Sequence, residues 1–170
     1  MNSAKGLTAL NCSSNSLGTL NVSDNKALVE LNCANNNIAQ LNLKNNVALE
    51  SLNVRKNALS LLDVTKQVAL KDLECSNNNL TSLNVYSNTL LETLRCGKNQ
   101  LKTIDVRHLA ALSVFECSSN NLTLLDVTKN TALTILDASE NALVSLDLSC
   151  NALLETADCS KNADLTRVWM

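Results

Sequence analysis

The chain has 170 residues and a formal net charge of −2, with 34 leucines, 26 asparagines, three glycines, no proline and one each of Phe, Tyr and Trp. An apolar content of 45% is too high for a disordered chain. The charge offers no basic footprint for nucleic acid or an anionic membrane, and no run approaches the roughly 20 apolar residues of a membrane-spanning helix.

A core built from leucine and turns built from asparagine point to an internal repeat. Residues 1–6, Met1 to Gly6, read as a short leader without the apolar stretch of a signal peptide. Residues 7–170 read as one domain. Leucine recurs every 21 residues, at Leu7, Leu28, Leu49, Leu70, Leu91, Leu112, Leu133 and Leu154, giving seven full units and a shortened eighth. Each unit reads L-x-x-L-x-C-x-x-N-x-L-x-x-L-D-V-x-x-N-x-A, and positions below are counted from its first leucine. Position 9 is Asn in all eight units, from Asn15 through Asn78 to Asn162.

Positions 4 and 6 alternate as a strand with one buried face requires. No apolar stripe is long enough for a helix of ordinary length. One 21-residue loop cannot close a core, but stacked loops can, by laying leucine on leucine and asparagine on asparagine. At about 4.8 Å per parallel strand, eight coils make a stack roughly 40 Å long. The position-9 amide carries both donor and acceptor, so it can satisfy backbone groups where the coil bends. On that reading Asn78→Ala costs about 1–3 kcal/mol.

The segment L-x-x-L-x-C-x-x-N-x-L resembles the defining motif of leucine-rich repeats (LRRs), and the resemblance covers residues 7–170. It is most similar to the short bacterial 21-residue class, whose second half reads here Leu62-Asp63-Val64, Ile104-Asp105-Val106, Leu125-Asp126-Val127 and Leu146-Asp147-Leu148. The resemblance implies a right-handed solenoid of about eight coils, with a concave parallel sheet and an extended convex side holding little helix. It also implies a bacterial surface or secreted protein, although seven free thiols would suit a reducing cytoplasm as well.

Six of the seven cysteines, Cys12, Cys33, Cys75, Cys96, Cys117 and Cys159, occupy position 6, where Val54 and Ala138 also stand. The site therefore wants a small apolar group, and free Cys behaves as one. No C-x-x-C or Cys/His cluster supports a metal or disulfide reading. Cys150, at position 18, is the expected exposed thiol. His108 is the only histidine and reads as a solvated turn residue rather than a general base. Without a P-loop, G-x-G-x-x-G or H-E-x-x-H, the sequence favours no enzyme and no cofactor. Asp63, Asp105, Asp126 and Asp147 stand in an outward column at position 15; a calcium site there is weaker than a solvated face, with Arg107 and Lys129 nearby.

Function in such a scaffold belongs to its variable surface positions. On the expected concave sheet these include Asp72, Glu74, Thr93, Arg95, Val114, Glu116, Ile135 and Asp137, from units four to seven. Val114 and Ile135 are aliphatic where a plain sheet would be polar, and Glu116 and Asp137 flank them like a rim. Over positions 1–10 the units carry ten acids and six bases, which favours a partner with a basic patch. The second half offers a rival surface at Leu61, Asp63, Tyr86, Leu124 and Asp126.

The expected partner is a protein, with a glycan as the weaker choice, and neither nucleic acid nor membrane insertion. Two rivals remain open. One is a structural or self-assembling spacer that forms homo-oligomers through uncapped ends; the shift of Leu165 and Val168 by one residue leaves Trp169 as a cap, as a junction to further chain, or as a pairing edge. The other is the substrate-recognition part of a larger effector, against which the absence of proline counts, because LRRs of bacterial ubiquitin-ligase effectors are rich in it.

Overall fold

The computed structural model describes residues 4–170; Met1 to Ser3 of the expected leader lie outside the described residues. Ten three-residue strands follow in chain order: β1 Ala9–Asn11, β2 Glu30–Asn32, β3 Ser51–Asn53, β4 Asp72–Glu74, β5 Thr93–Arg95, β6 Val114–Glu116, β7 Ile135–Asp137, β8 Ser145–Asp147, β9 Thr156–Asp158 and β10 Arg167–Trp169. One parallel sheet takes one strand from each coil in the order β1-β2-β3-β4-β5-β6-β7-β9. β8 and β10 form a second parallel pair on the other side of the coil. No helix occurs among the described residues, and none is long and apolar enough to cross a membrane.

The register follows the repeat. Leu31, Leu52, Leu73, Leu94, Phe115 and Leu136 are aligned across adjacent strands, and all are buried. From β2 to β8 each strand buries its central residue and leaves two outward, so the sheet has one face on the core and one facing out. Positions 1, 4, 6, 11, 14 and 16 supply a single continuous core. The terminal coils are only half covered, because Leu7, Leu10, Leu17 and Leu154 have a neighbouring coil on one side alone.

The second half of each coil holds no helix and runs through two turns, as at 44–45 and 47–48. Only in the seventh coil does it become a strand, β8, paired with β10. There Ser145 aligns with Arg167, a step of one residue more than the repeat, which accommodates the insertion near Asp164. Trp169 lies on β10 and remains exposed.

Two asparagine ladders fasten coil to coil. At position 9, Asn78 Nδ2 donates to Val54 O, Cys75 O and Ser76 O at 3.0, 3.0 and 3.4 Å, while its Oδ1 accepts from Leu59 N at 3.0 Å. The same pattern recurs at Asn36, Asn99, Asn120 and Asn162. At position 19, Asn46, Gln67, Asn88, Asn130 and Asn151 each donate to two carbonyls of the preceding coil. Asn25 makes the first step by donating to Ala4 O at 2.7 Å.

The bend itself falls one residue earlier than the invariant Asn. All eight position-8 residues, Ser14, Asn35, Lys56, Asn77, Lys98, Ser119, Glu140 and Lys161, adopt the left-handed conformation, with φ between 51° and 57°. None is glycine, the residue that takes this conformation at least cost. The position-9 amide, bonded on both sides, holds its neighbour there.

Candidate functional site

Register brings all eight candidate residues onto four adjacent strands. Asp72, Thr93, Val114 and Ile135 form one outward row, and Glu74, Arg95, Glu116 and Asp137 form the next. Ile135 is 38% exposed, and Val114 beside it is half-buried. The two side chains make a small aliphatic step between Thr93 and Thr156.

The second row is less free than its variability suggests. In six coils the position-5 side chain accepts a hydrogen bond from the backbone N–H two residues on, closing a local turn. Glu74 Oε1 holds Ser76 N at 2.9 Å, and Asp137 Oδ1 holds both Ser139 N and Ser139 Oγ, at 3.1 and 2.6 Å. Arg95 does something else. Its Nε donates to Glu116 Oε1 at 3.2 Å and its Nη1 lies 4.0 Å from Asp72 Oδ1, so it spans three coils. Beside it is an open depression of about 260 Å³ bounded by Arg55, Arg95, Lys98, Glu74 and Glu116.

The position-15 column has the same turn-closing role. Asn21, Asn42, Asp63, Asn84, Asp105, Asp126 and Asp147 each accept from the N–H of position 17. Hydroxyls of Thr65, Thr128 and Ser149 add a second bond and hold the carboxyls of Asp63, Asp126 and Asp147 below their ordinary value. Arg107, bonded to both oxygens of Asp105, takes that carboxyl down to about 2. The column is therefore a series of turns, and among the described residues no group of three or more His, Cys, Asp or Glu converges as a metal would need. The signal was in the sequence: Asp followed two residues later by Thr or Ser.

His108 departs from the expected solvated turn. It is half-buried, with Nε2 3.1 Å from Val85 O and its ring centroid 5.1 Å from that of Tyr86. Val85 O is the carbonyl that a position-19 amide meets in other coils, and in this coil position 19 is Leu109. The histidine occupies the place of the missing ladder amide. Tyr86, Leu61 and Leu124 on the second-half surface are 72%, 67% and 68% exposed.

The seven cysteines are free thiols. Cys33, Cys75, Cys96 and Cys117 are fully buried, the end-coil Cys12 and Cys159 are partly covered, and Cys150 is exposed. Burial pushes Cys33 up to about 12 from its ordinary 9.0, with the neighbouring Cys12 thiol adding to the effect, and it drives Cys75, Cys96 and Cys117 the same way. The native state thus holds protons that the unfolded chain releases above pH 9. Stability should be complete below pH 9 and fall as pH rises from 9 towards 12. Urea midpoints at pH 8 and pH 10 measure the loss. Replacing Cys75 and Cys96 by alanine, the residue already present as Ala138, should shrink it; an unchanged loss would contradict burial as its cause.

This combination has counterparts among solved structures. The functional domain of InlJ from Listeria monocytogenes, which includes a cysteine ladder, is 33% identical over 97% of this chain, with a TM-score of 0.75. The chain is a leucine-rich repeat solenoid of the short 21-residue class. It spans 44% of the InlJ chain. Two more distant LRR likenesses were solved as complexes. The ectodomain of the plant receptor kinase GASSHO1/SCHENGEN3 from Arabidopsis thaliana, with Casparian strip integrity factor 2, is 21% identical over 86% of this chain and 19% of that one, at a TM-score of 0.72. TLR13, with ssRNA13, is 20% identical over 98% of this chain and 29% of that one, at 0.74. No protein-family model and no curated protein matches the LRR chain.

Proposed function

We propose that this LRR solenoid, residues 7–170 acting as one domain, is a non-catalytic recognition module that binds a protein partner on the concave sheet of coils four to seven. One observation carries the reading. Val114 and Ile135 align on adjacent strands and present aliphatic surface outward, where neighbouring coils present Thr, Asp or Ser. Acidic side chains border them: Glu116, Asp137 and, one coil on, Asp158. Apolar contact at the centre with charge at the edge is the usual anatomy of a specific interface.

The remaining surface supports the same choice. Two other outward columns, positions 5 and 15, are largely engaged in closing turns, which leaves fewer side chains free to discriminate between ligands. The complex of the Arabidopsis ectodomain with its partner factor is consistent with a protein ligand, while a glycan is the second choice. The fold itself can accommodate RNA, as the TLR13 complex illustrates, but a net charge of −2 makes nucleic acid a poor match here. The likeness to InlJ supports a bacterial surface or secreted setting.

Converting Val114 and Ile135 together to glutamate tests the proposal. Both side chains face outward, so the circular dichroism spectrum should be unchanged. Capture of a partner by the immobilised chain should weaken more than tenfold, since a central apolar contact contributes about 2 kcal/mol or more. Capture that survives this change, and is lost instead when Leu61 and Leu124 become glutamate, would place binding on the second-half surface.

A further inference from the structure

The turn at position 7 is closed in six coils and open in two, and the two are neighbours. Asn11, Asn32, Asn53, Glu74, Asp137 and Asp158 hold the N–H groups of Ser13, Ala34, Arg55, Ser76, Ser139 and Ser160 at 2.8–3.1 Å. In the fifth coil the corresponding side chain is Arg95, which has no acceptor atom. In the sixth it is Glu116, whose carboxylate is turned to Arg95 instead. The N–H groups of Gly97 and Ser118 consequently make no hydrogen bond among the described residues.

Both amides border the depression of about 260 Å³ described above. Their carbonyls and flanking amides continue the coil-to-coil ladder, with Cys96 N bonded to Glu116 O and Lys98 N to Ser118 O, both at 2.8 Å. The two free N–H groups therefore stand side by side at about the 4.8 Å spacing of parallel strands. Gly97 keeps the space between them clear. A Cβ on it would lie 3.0 Å from Ser118 O and 3.6 Å from Ser118 N. Among the described residues Arg55 and Lys98, on the same wall, make no ion pair within 4 Å, whereas one oxygen of each of the Glu74 and Glu116 carboxylates is already engaged.

From this geometry we infer a carboxylate-binding site: an Asp or Glu side chain of a partner protein places one oxygen on each of the Gly97 and Ser118 N–H groups, with Arg95 and Lys98 beside it. The partner supplies in trans the oxygen that position 5 supplies within the chain in the other six coils. Adjacent backbone N–H groups with nearby cations are a recurrent way to bind anions. The depression is shallow and open and lies on the face that also carries Val114, which suits a group presented by a large partner better than an enclosed metabolite.

The site can be tested without knowing the partner. Sodium acetate and N-acetyl-aspartate amide, titrated at constant ionic strength against the isotopically labelled chain, should move the Gly97 and Ser118 amide protons downfield and saturably. The Ser76 and Ser139 amides, already held, should stay in place. Arg95→Asn restores the usual position-5 acceptor and should abolish the Gly97 response. Gly97→Ala closes the space without changing charge and should also abolish it, which keeps the test decisive if the first variant misfolds. Absence of any response in the native chain would overturn the site, as would an undiminished response in both variants. A stronger response to inorganic phosphate or chloride than to acetate would overturn the assignment to carboxylate. Acetate has no aliphatic surface able to dock on Val114 and Ile135, so the result is independent of that patch.

Discussion

Shortening Leu73 to alanine is expected to lower the free energy of unfolding by about 2–5 kcal/mol, against a clearly smaller loss for Leu10→Ala. Leu73 is fully buried and lies between Leu52 and Leu94 on the neighbouring strands. Deleting its side chain removes transfer energy and opens a cavity that two flanking coils, fixed by their own ladders, cannot close. Leu10 has the same chemistry but only one neighbouring coil, and it is already half-buried. Urea unfolding of the two variants measures the difference. Equal losses would mean that stability does not pass from coil to coil as a stacked array requires.

Asn78→Ala should cost about 3 kcal/mol, at the upper end of the 1–3 expected for a single unsatisfied group. The sequence argued for an amide that completes one bend. The structure shows it serving two coils, with donors to Val54 O and Cys75 O and an acceptor for Leu59 N, all in buried surroundings. Removing it leaves the buried Leu59 N–H without its acceptor, whereas Val54 O and Cys75 O keep the side-chain amides of Asn57 and Asn99. Asn78→Asp should be no milder, because a carboxylate cannot donate and would face two carbonyl oxygens. Asn15→Ala should be tolerated far better, since Asn15 is exposed and bonds only within its own coil, to Cys12 O and Ser13 O. A wild-type midpoint for Asn78→Asp would show that the donor role is dispensable.

Period, strand placement and core were legible in the sequence because each depends on residue type at a fixed spacing. Leucine at positions 1, 4, 11 and 14 is apolar wherever it stands, and a parallel stack repeats its alignment eight times. The thiols were legible for the same reason, since Val54 and Ala138 in their column reveal what the site selects. The left-handed bend at position 8 was not. Ser14, Lys56 and Glu140 have no common preference for that conformation, and neighbouring hydrogen bonds impose it on them.

The candidate surface was legible in outline only. Register could be deduced from the 21-residue period, so the eight residues were correctly expected to share one face. The turn-closing bonds made by Glu74 and Asp137 depend on side-chain direction, which residue spacing alone does not fix. His108 illustrates the same limit. Its role follows from the carbonyl left over when Leu109 replaces the ladder amide, a vacancy visible only once the coils are stacked. Arg95 and Gly97 were the sequence signals for the open amides: one is a base in a column of Asn, Asp and Glu, the other the sole glycine within the strand-bearing segments.

Amide hydrogen exchange with a captured partner bound tests most directly whether the concave face carries the function. Added protection should concentrate on β4 to β7, at 72–74, 93–95, 114–116 and 135–137, and extend to Gly97 and Ser118. Protection confined to the second-half surface around Leu61, Tyr86 and Leu124, with the concave strands unchanged, would contradict it.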